Sequence, residues 1–104
     1  MIQLKDGVEL YCETGTIRPQ TWDAIKVADK VYGGFGFNCI VTSVCDGKHS
    51  RNSKHYEGNG VDFRTRHVPE ELRSEIHEVL ANRLGPKYDV ILEKTHIHVE
   101  FDPK

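Results

Sequence analysis

No stretch of this 104-residue chain is apolar for long enough to span a bilayer, and no basic-then-apolar leader opens it. That predicts a protein made in the cytoplasm without a signal peptide and with no membrane partner. Neither sign of charge dominates, since 14 Lys and Arg face 16 Asp and Glu for a net charge of -2. The basic residues are dispersed and no aromatic ladder interleaves them, so nucleic acid is not an expected partner. Cysteine is scarce and odd in number. Cys12, Cys39 and Cys45 form no Cys-x-x-Cys pair, which argues against a disulfide framework and against a zinc knuckle. They read as small buried apolar side chains kept in a reducing compartment. The glycine run Gly33-Gly34-Phe35-Gly36 follows a helical pattern instead of a strand and lacks a Lys-Ser/Thr pair, so it reads as a helix stop and not a phosphate loop.

What is present suits one small domain, residues 1–104, expected as a monomer. Apolar residues make up 38% and charged residues 29%, as in a soluble globular protein, at a length near the lower end of what supports a core without staples. Ile2 to Cys12 reads as two short strands around a turn at Lys5-Asp6-Gly7. Thr21 is placed to cap a helix from Trp22 to about Tyr32, with Ala24, Ile25, Ala28, Val31 and Tyr32 on one stripe. The β-branched run Asn38 to Val44 predicts a buried strand. Pro69 opens a second helix, Glu70 and Glu71 sit at its positive end, and Gly85-Pro86 closes it. Tyr88 to Leu92 and Thr95 to Phe101 are the last two strands. The order predicts an α+β fold, two helices packed on a small antiparallel or mixed sheet.

Two segments carry the chemistry. In Ser53-Lys54-His55-Tyr56-Glu57-Gly58-Asn59-Gly60-Val61-Asp62-Phe63-Arg64, a bend bearing Gly58 and Gly60 separates an imidazole from a carboxylate. Val61 and Phe63 are expected on one side of a strand and Asp62 on the other. In Glu93-Lys94-Thr95-His96-Ile97-His98-Val99-Glu100-Phe101, the residues Ile97, Val99 and Phe101 claim the core face. His96 and His98 then share the opposite face, beside Glu100. Either segment alone is a weak signal, because isolated histidines are more often surface or hydrogen-bonded residues. Together they offer His, Asp and His around an open position, which is what a catalytic zinc requires. Spacing does not decide between His96 and His98 as the third ligand. His49, His67 and His77 receive no role.

Ser53-x-His55-x-x-Gly58-x-Gly60-x-Asp62 resembles the Ser-x-His-x-x-Gly-x-Ala-x-Asp signature of the zinc D-alanyl-D-alanine peptidases. Glu93-x-x-His96-x-His98 resembles the acidic residue and His-x-His that close the same site, an ending also similar to the Hedgehog signalling domain. The likeness covers roughly Asn38 to Phe101 and is greatest to small phage-encoded members. Gly60 stands where alanine is usual. The family's arginine just after the position of Thr42-Ser43 is replaced by Val44-Cys45-Asp46.

The resemblance implies a zinc ion held by His55, Asp62 and His98, with Glu93 as general base and His96 stabilising the oxyanion. Ser53, Arg51 and Arg64 are the implied substrate contacts, the arginines inheriting the missing arginine's task. The implied substrate is the peptidoglycan stem peptide, cut at a D-Ala-D-Ala or L-Ala-D-Glu type of bond by a carboxypeptidase or endopeptidase. The protein would reach the cell wall after release or as part of a virion. The competing expectation is a virion or signalling-type module that keeps zinc for stability and cuts nothing. A hydrolase acting on a small dipeptide is a third.

Overall fold

Alternation at the end of the chain sets the architecture. Ile97 and Val99 are fully buried while His96, His98 and Glu100 between them are only partly so, the period-two pattern of a strand with one face on a core. The computed structural model describes residues 2–5, 11–12, 15–16, 19–44 and 60–102. Their elements are β1 (Ile2–Leu4), β2 (Tyr11–Cys12), β3 (Gly15–Thr16), α1 (Pro19–Gly34), β4 (Cys39–Ser43), β5 (Gly60–Arg64), α2 (Glu70–Leu84), β6 (Tyr88–Leu92) and β7 (His96–Phe101). Five strands form a mixed sheet in the order β1-β4-β5-β7-β6. β1 runs parallel to β4, and each remaining pair is antiparallel. The expected α+β fold is present.

The N-terminal segment pairs into the main sheet. β1 joins β4 with Ile2 opposite Cys39, and Lys5 N–H donates to Val41 O at 2.9 Å. β2 pairs with β3 in a separate two-stranded ribbon. The stretch from Val8 to Leu10, expected to return from the turn, lies outside the described residues. Asp6 and Gly7 themselves lie outside the described residues.

Both helices lie on one face of the sheet. α1 begins earlier than its pattern suggested, because proline fits the first helical turn, where its missing N–H costs nothing. Thr21 is therefore inside the helix and buried instead of capping it. Ala24, Ile25, Ala28, Val31 and Tyr32 form the buried stripe as expected, against Cys39, Val41, Val61, Phe63, Ile97 and Val99 of the sheet. The helix ends in paired bonds, Gly36 N–H to Gly33 O at 3.0 Å and Phe37 N–H to Tyr32 O at 3.0 Å. These are the two bonds of a Schellman cap, and its left-handed position falls on Gly36 with φ 88°. The glycine run is thus a helix stop. α2 ends likewise at Gly85, φ 83°, whose N–H reaches Ala81 O at 3.0 Å.

Polar side chains fasten these layers. Tyr32 Oη donates to Arg64 O at 2.9 Å, and Tyr88 Oη donates to Gln20 O at 2.7 Å. His77, on the polar side of α2, reaches Val90 O of β6 through Nε2 at 2.8 Å. His67 stacks on Tyr32 with ring centroids 6.0 Å apart and bonds Asn38 O through Nε2 at 2.7 Å. Neither histidine's task could be read from spacing, because the partners are backbone carbonyls distant in sequence.

Cys39 behaves as the sequence suggested. It is buried, and desolvation, with the nearby Asp29 charge adding to it, pushes its thiol up to about 12. Thiolate is the nucleophile, so Cys39 is protected both sterically and by protonation. Peptide mapping after iodoacetamide treatment at neutral pH is expected to leave Cys39 unmodified in the native chain and alkylated in denaturant. Rapid native labelling would place β4 outside the core.

Candidate metal centre

β5 and β7 are adjacent and antiparallel, with Asp62 opposite His98 and Arg64 opposite His96. Val61, Phe63, Ile97 and Val99 occupy the core side, so the register forces Asp62, His96 and His98 together on the face away from the helices. β4 reaches this face through a bulge. Val41 pairs with Phe63 and Ser43 with Asp62, leaving Thr42 as the extra residue beside the site. Its hydroxyl makes a long contact of 3.5 Å with Asp62 O.

His98 is held at both ring nitrogens. Nδ1 donates to Asp62 Oδ1 at 2.8 Å and Nε2 donates to Glu100 Oε1 at 2.9 Å. The bond to Asp62 is the main reason its pKa lies above the ordinary 6.5; burial opposes the shift, and Glu100 reinforces it. The ring carries side-chain exposure of 19% and Asp62 only 14%, so the pair is largely withdrawn from water. A half-buried carboxylate and imidazole in contact favour positive charge between them, whether a proton or a cation.

His96 lies farther off. Its Nε2 is 3.8 Å from Asp62 Oδ2, while Thr95 Oγ1 lies 3.2 Å from Nδ1. Thr95 thus holds the Nδ1 side of the ring, and Nε2 is the nitrogen that faces Asp62 and the space beside it.

Residues expected from sequence divide into three groups. Asp62, His96 and His98 converge as anticipated, with Arg64 on the next position of the same face. Glu93 sits on the turn between β6 and β7, where its N–H donates to His96 O at 2.8 Å. Its exposed side chain lines a groove with Arg66, Glu70, Arg73 and Lys94, whereas His96 lines a different hollow. The two hollows share Arg66 and Thr95 at their common border. Arg51, Ser53 and His55 lie outside the described residues. Among the described residues no group of three or more His, Cys, Asp or Glu side chains is arranged to hold a metal ion.

The arrangement nevertheless suits zinc in one specific respect. A histidine that ligates a metal usually donates its other ring N–H to a carboxylate, which fixes its tautomer and orientation. His98 has that partner already in Glu100, leaving Nδ1 as the atom that faces Asp62. Glu100 was named beside the site from sequence without a role; its signal was the two-residue step from His98 on the same strand face.

Comparison with models of known protein families gives no match, and comparison with curated protein sequences gives none either.

If Glu100 orients His98, Glu100→Gln is expected to weaken zinc binding by about 10–100-fold without unfolding the chain. Asp62→Ala and His98→Ala are expected to abolish it, and His96→Ala to leave it intact. Competition against a chromophoric chelator reads all four. Full affinity in Glu100→Gln would reduce that contact to a surface ion pair, and loss in His96→Ala alone would exchange the two histidines' roles.

Proposed function

We propose that this chain is a zinc-dependent peptidase hydrolysing an amide bond in the peptide part of bacterial peptidoglycan. The observation that supports it is the cross-strand Asp62–His98 contact at 2.8 Å with Glu100 behind the ring. Asp62 and His98 are two of the ligands that the sequence resemblance to zinc D-alanyl-D-alanine peptidases calls for, and Glu100 adds a carboxylate that orients the ring. His55, Asp62 and His98 would hold the ion. When bound, zinc supplies Lewis-acid polarisation and makes water acidic enough to serve as a nucleophile near neutral pH.

The chain's own side chains do the rest. His96, with Nε2 directed toward the site, donates a hydrogen bond to the scissile carbonyl oxygen as negative charge builds there. Glu93 accepts the water's proton on its carboxylate and returns it to the leaving amine. Its backbone is anchored to His96 O, so the carboxylate approaches by rotating about its own side-chain bonds from an exposed turn. Glu93 precedes β7 and His96 opens it, so the proposed base and oxyanion donor sit at one end of the same strand. The product is a shortened stem peptide, from a D-Ala-D-Ala or L-Ala-D-Glu type of bond.

One observation favours the second reading, a zinc-stabilised module without activity. Glu93 lines a different hollow from His96, so the proposed base and oxyanion donor do not open into one space. Glu93→Gln separates the two. In the peptidase it is expected to retain zinc and melting temperature while hydrolysis of cross-linked or linear muropeptides falls by about 10²–10⁴-fold, read by mass analysis. Equal inertness of wild type and variant would establish the module instead. Loss of zinc in Glu93→Gln would make that residue a ligand.

A further inference from the structure

β6 is an outer strand of the sheet, and among the described residues no strand lies beyond it. Its ladder shows which backbone groups face outward. Asp102 N–H bonds Lys87 O and Glu93 N–H bonds His96 O, both at 2.8 Å, so the odd-numbered residues are turned toward β7. Tyr88, Val90 and Leu92 then direct their backbone groups away from the sheet. Of these groups, Tyr88 N–H returns to Gly85 O at 3.2 Å, and Val90 O accepts from His77 Nε2 at 2.8 Å. Lysine and proline commonly guard an open edge, and Tyr88–Leu92 contains neither. Ile91 and Leu92 are instead 48% and 37% exposed. Beside this edge lies a hollow of about 580 Å³ with Ala81, Gly85 and Tyr88 in its wall.

We propose that β6 pairs with β6 of a second copy of this chain, antiparallel about a two-fold axis through Val90, joining the two sheets into one. The inference stands apart from the peptidase reading and departs from the expected monomer. Charge selects the register. Outward residues must meet outward residues, so for the strands to overlap over most of their length the axis passes through Asp89, Val90 or Ile91. An axis at Asp89 sets that carboxylate against its own copy, and one at Ile91 sets Asp89 against Glu93. Like charges directly opposite are unfavourable. An axis at Val90 sets Lys87 against Glu93 on both sides of the dyad. Both are exposed, and neither is ion-paired among the described residues. Tyr88 faces the helices, where its Oη bonds Gln20 O. The same register places the partner's Leu92 opposite Tyr88 on that side, and the hollow beside Ala81 and Gly85 seats it. Val90 N–H then donates to the partner's Val90 O, and Leu92 N–H to the partner's Tyr88 O. A carbonyl has two lone pairs, so Val90 O keeps His77 while taking the second donor. One short strand per copy buries little area, so the dimer is reversible with a Kd on the order of 10 µM. Dilution thereby frees Glu93 for the proton transfer proposed above.

Sedimentation velocity of the purified full chain, from roughly 1 µM to roughly 1 mM, is expected to show a reversible monomer–dimer equilibrium. Hydrogen exchange then locates the interface. The Val90 and Leu92 amides are expected to slow by about tenfold between dilute and concentrated samples, while the Tyr88 amide, already bonded to Gly85 O, does not change. Leu92→Lys plants a charge at an exposed edge position and should weaken association by about tenfold at an unchanged melting temperature. Lys87→Glu sets carboxylates opposite each other and should weaken it similarly. Combining Lys87→Glu with Glu93→Lys exchanges the charges and should restore wild-type association. A monomer throughout the range overturns the dimer. Association that leaves the Val90 and Leu92 amides unprotected, or a charge exchange that restores nothing, overturns the paired edge. Dimers that form only in His77→Ala overturn it too, because His77 would then be a cap that closes β6.

Discussion

The register between β5 and β7 is the constraint on which the site depends. A slip of one residue would turn every side chain of one strand to the other face, sending Asp62 into the core and Phe63 out of it. Val61, Phe63, Ile97 and Val99 forbid that slip, because all four are buried with 0–1% exposure. The apolar residues therefore fix the chemistry without touching it. Asp62 meets His98 because the core admits only one alignment of their neighbours. The polar contact then inherits a geometry it need not enforce by its own strength.

This explains which parts were legible in the sequence. Alternation along His96 to Phe101 and around Asp62 declared both strands and the face their polar residues would share, and that face is where they lie. The helical stripe of α1 was equally legible, as were the glycine endings of both helices, since those depend on local periodicity and on the positive φ at Gly36 and Gly85. Non-local pairing was not legible. β1 runs beside β4, a partner from far along the chain that no local pattern in Ile2 to Leu4 names. Thr21 likewise looked like a cap until Pro19 moved the helix start ahead of it.

Within the site, legibility follows the same division. Asp62, His96 and His98 are periodic within their strands and so could be assigned to one face. Lys5 and Arg66 cannot be found this way, since one follows a parallel edge strand and the other sits on a turn, with no spacing to link them. Glu93 illustrates the opposite limit. Its offset from His96 is a sequence relation, but it occupies a turn, where strand alternation no longer dictates direction, and its side chain borders the neighbouring groove.

The resulting face is electrically graded along the strands. Glu100 and Asp62 flank His98 at one end, while Arg64, Arg66 and Lys5 gather at the other, with His96 between. Such grading has a chemical use that a uniformly charged cleft lacks. The carboxylate end attracts a cation and holds His98 in its charged or metal-facing orientation, while the basic end attracts an anion. Because Asp62 and Arg64 are two residues apart on β5, the separation of the two ends is set by the strand and not by a loop. A change that shifted β5 by a residue would therefore displace both ends together.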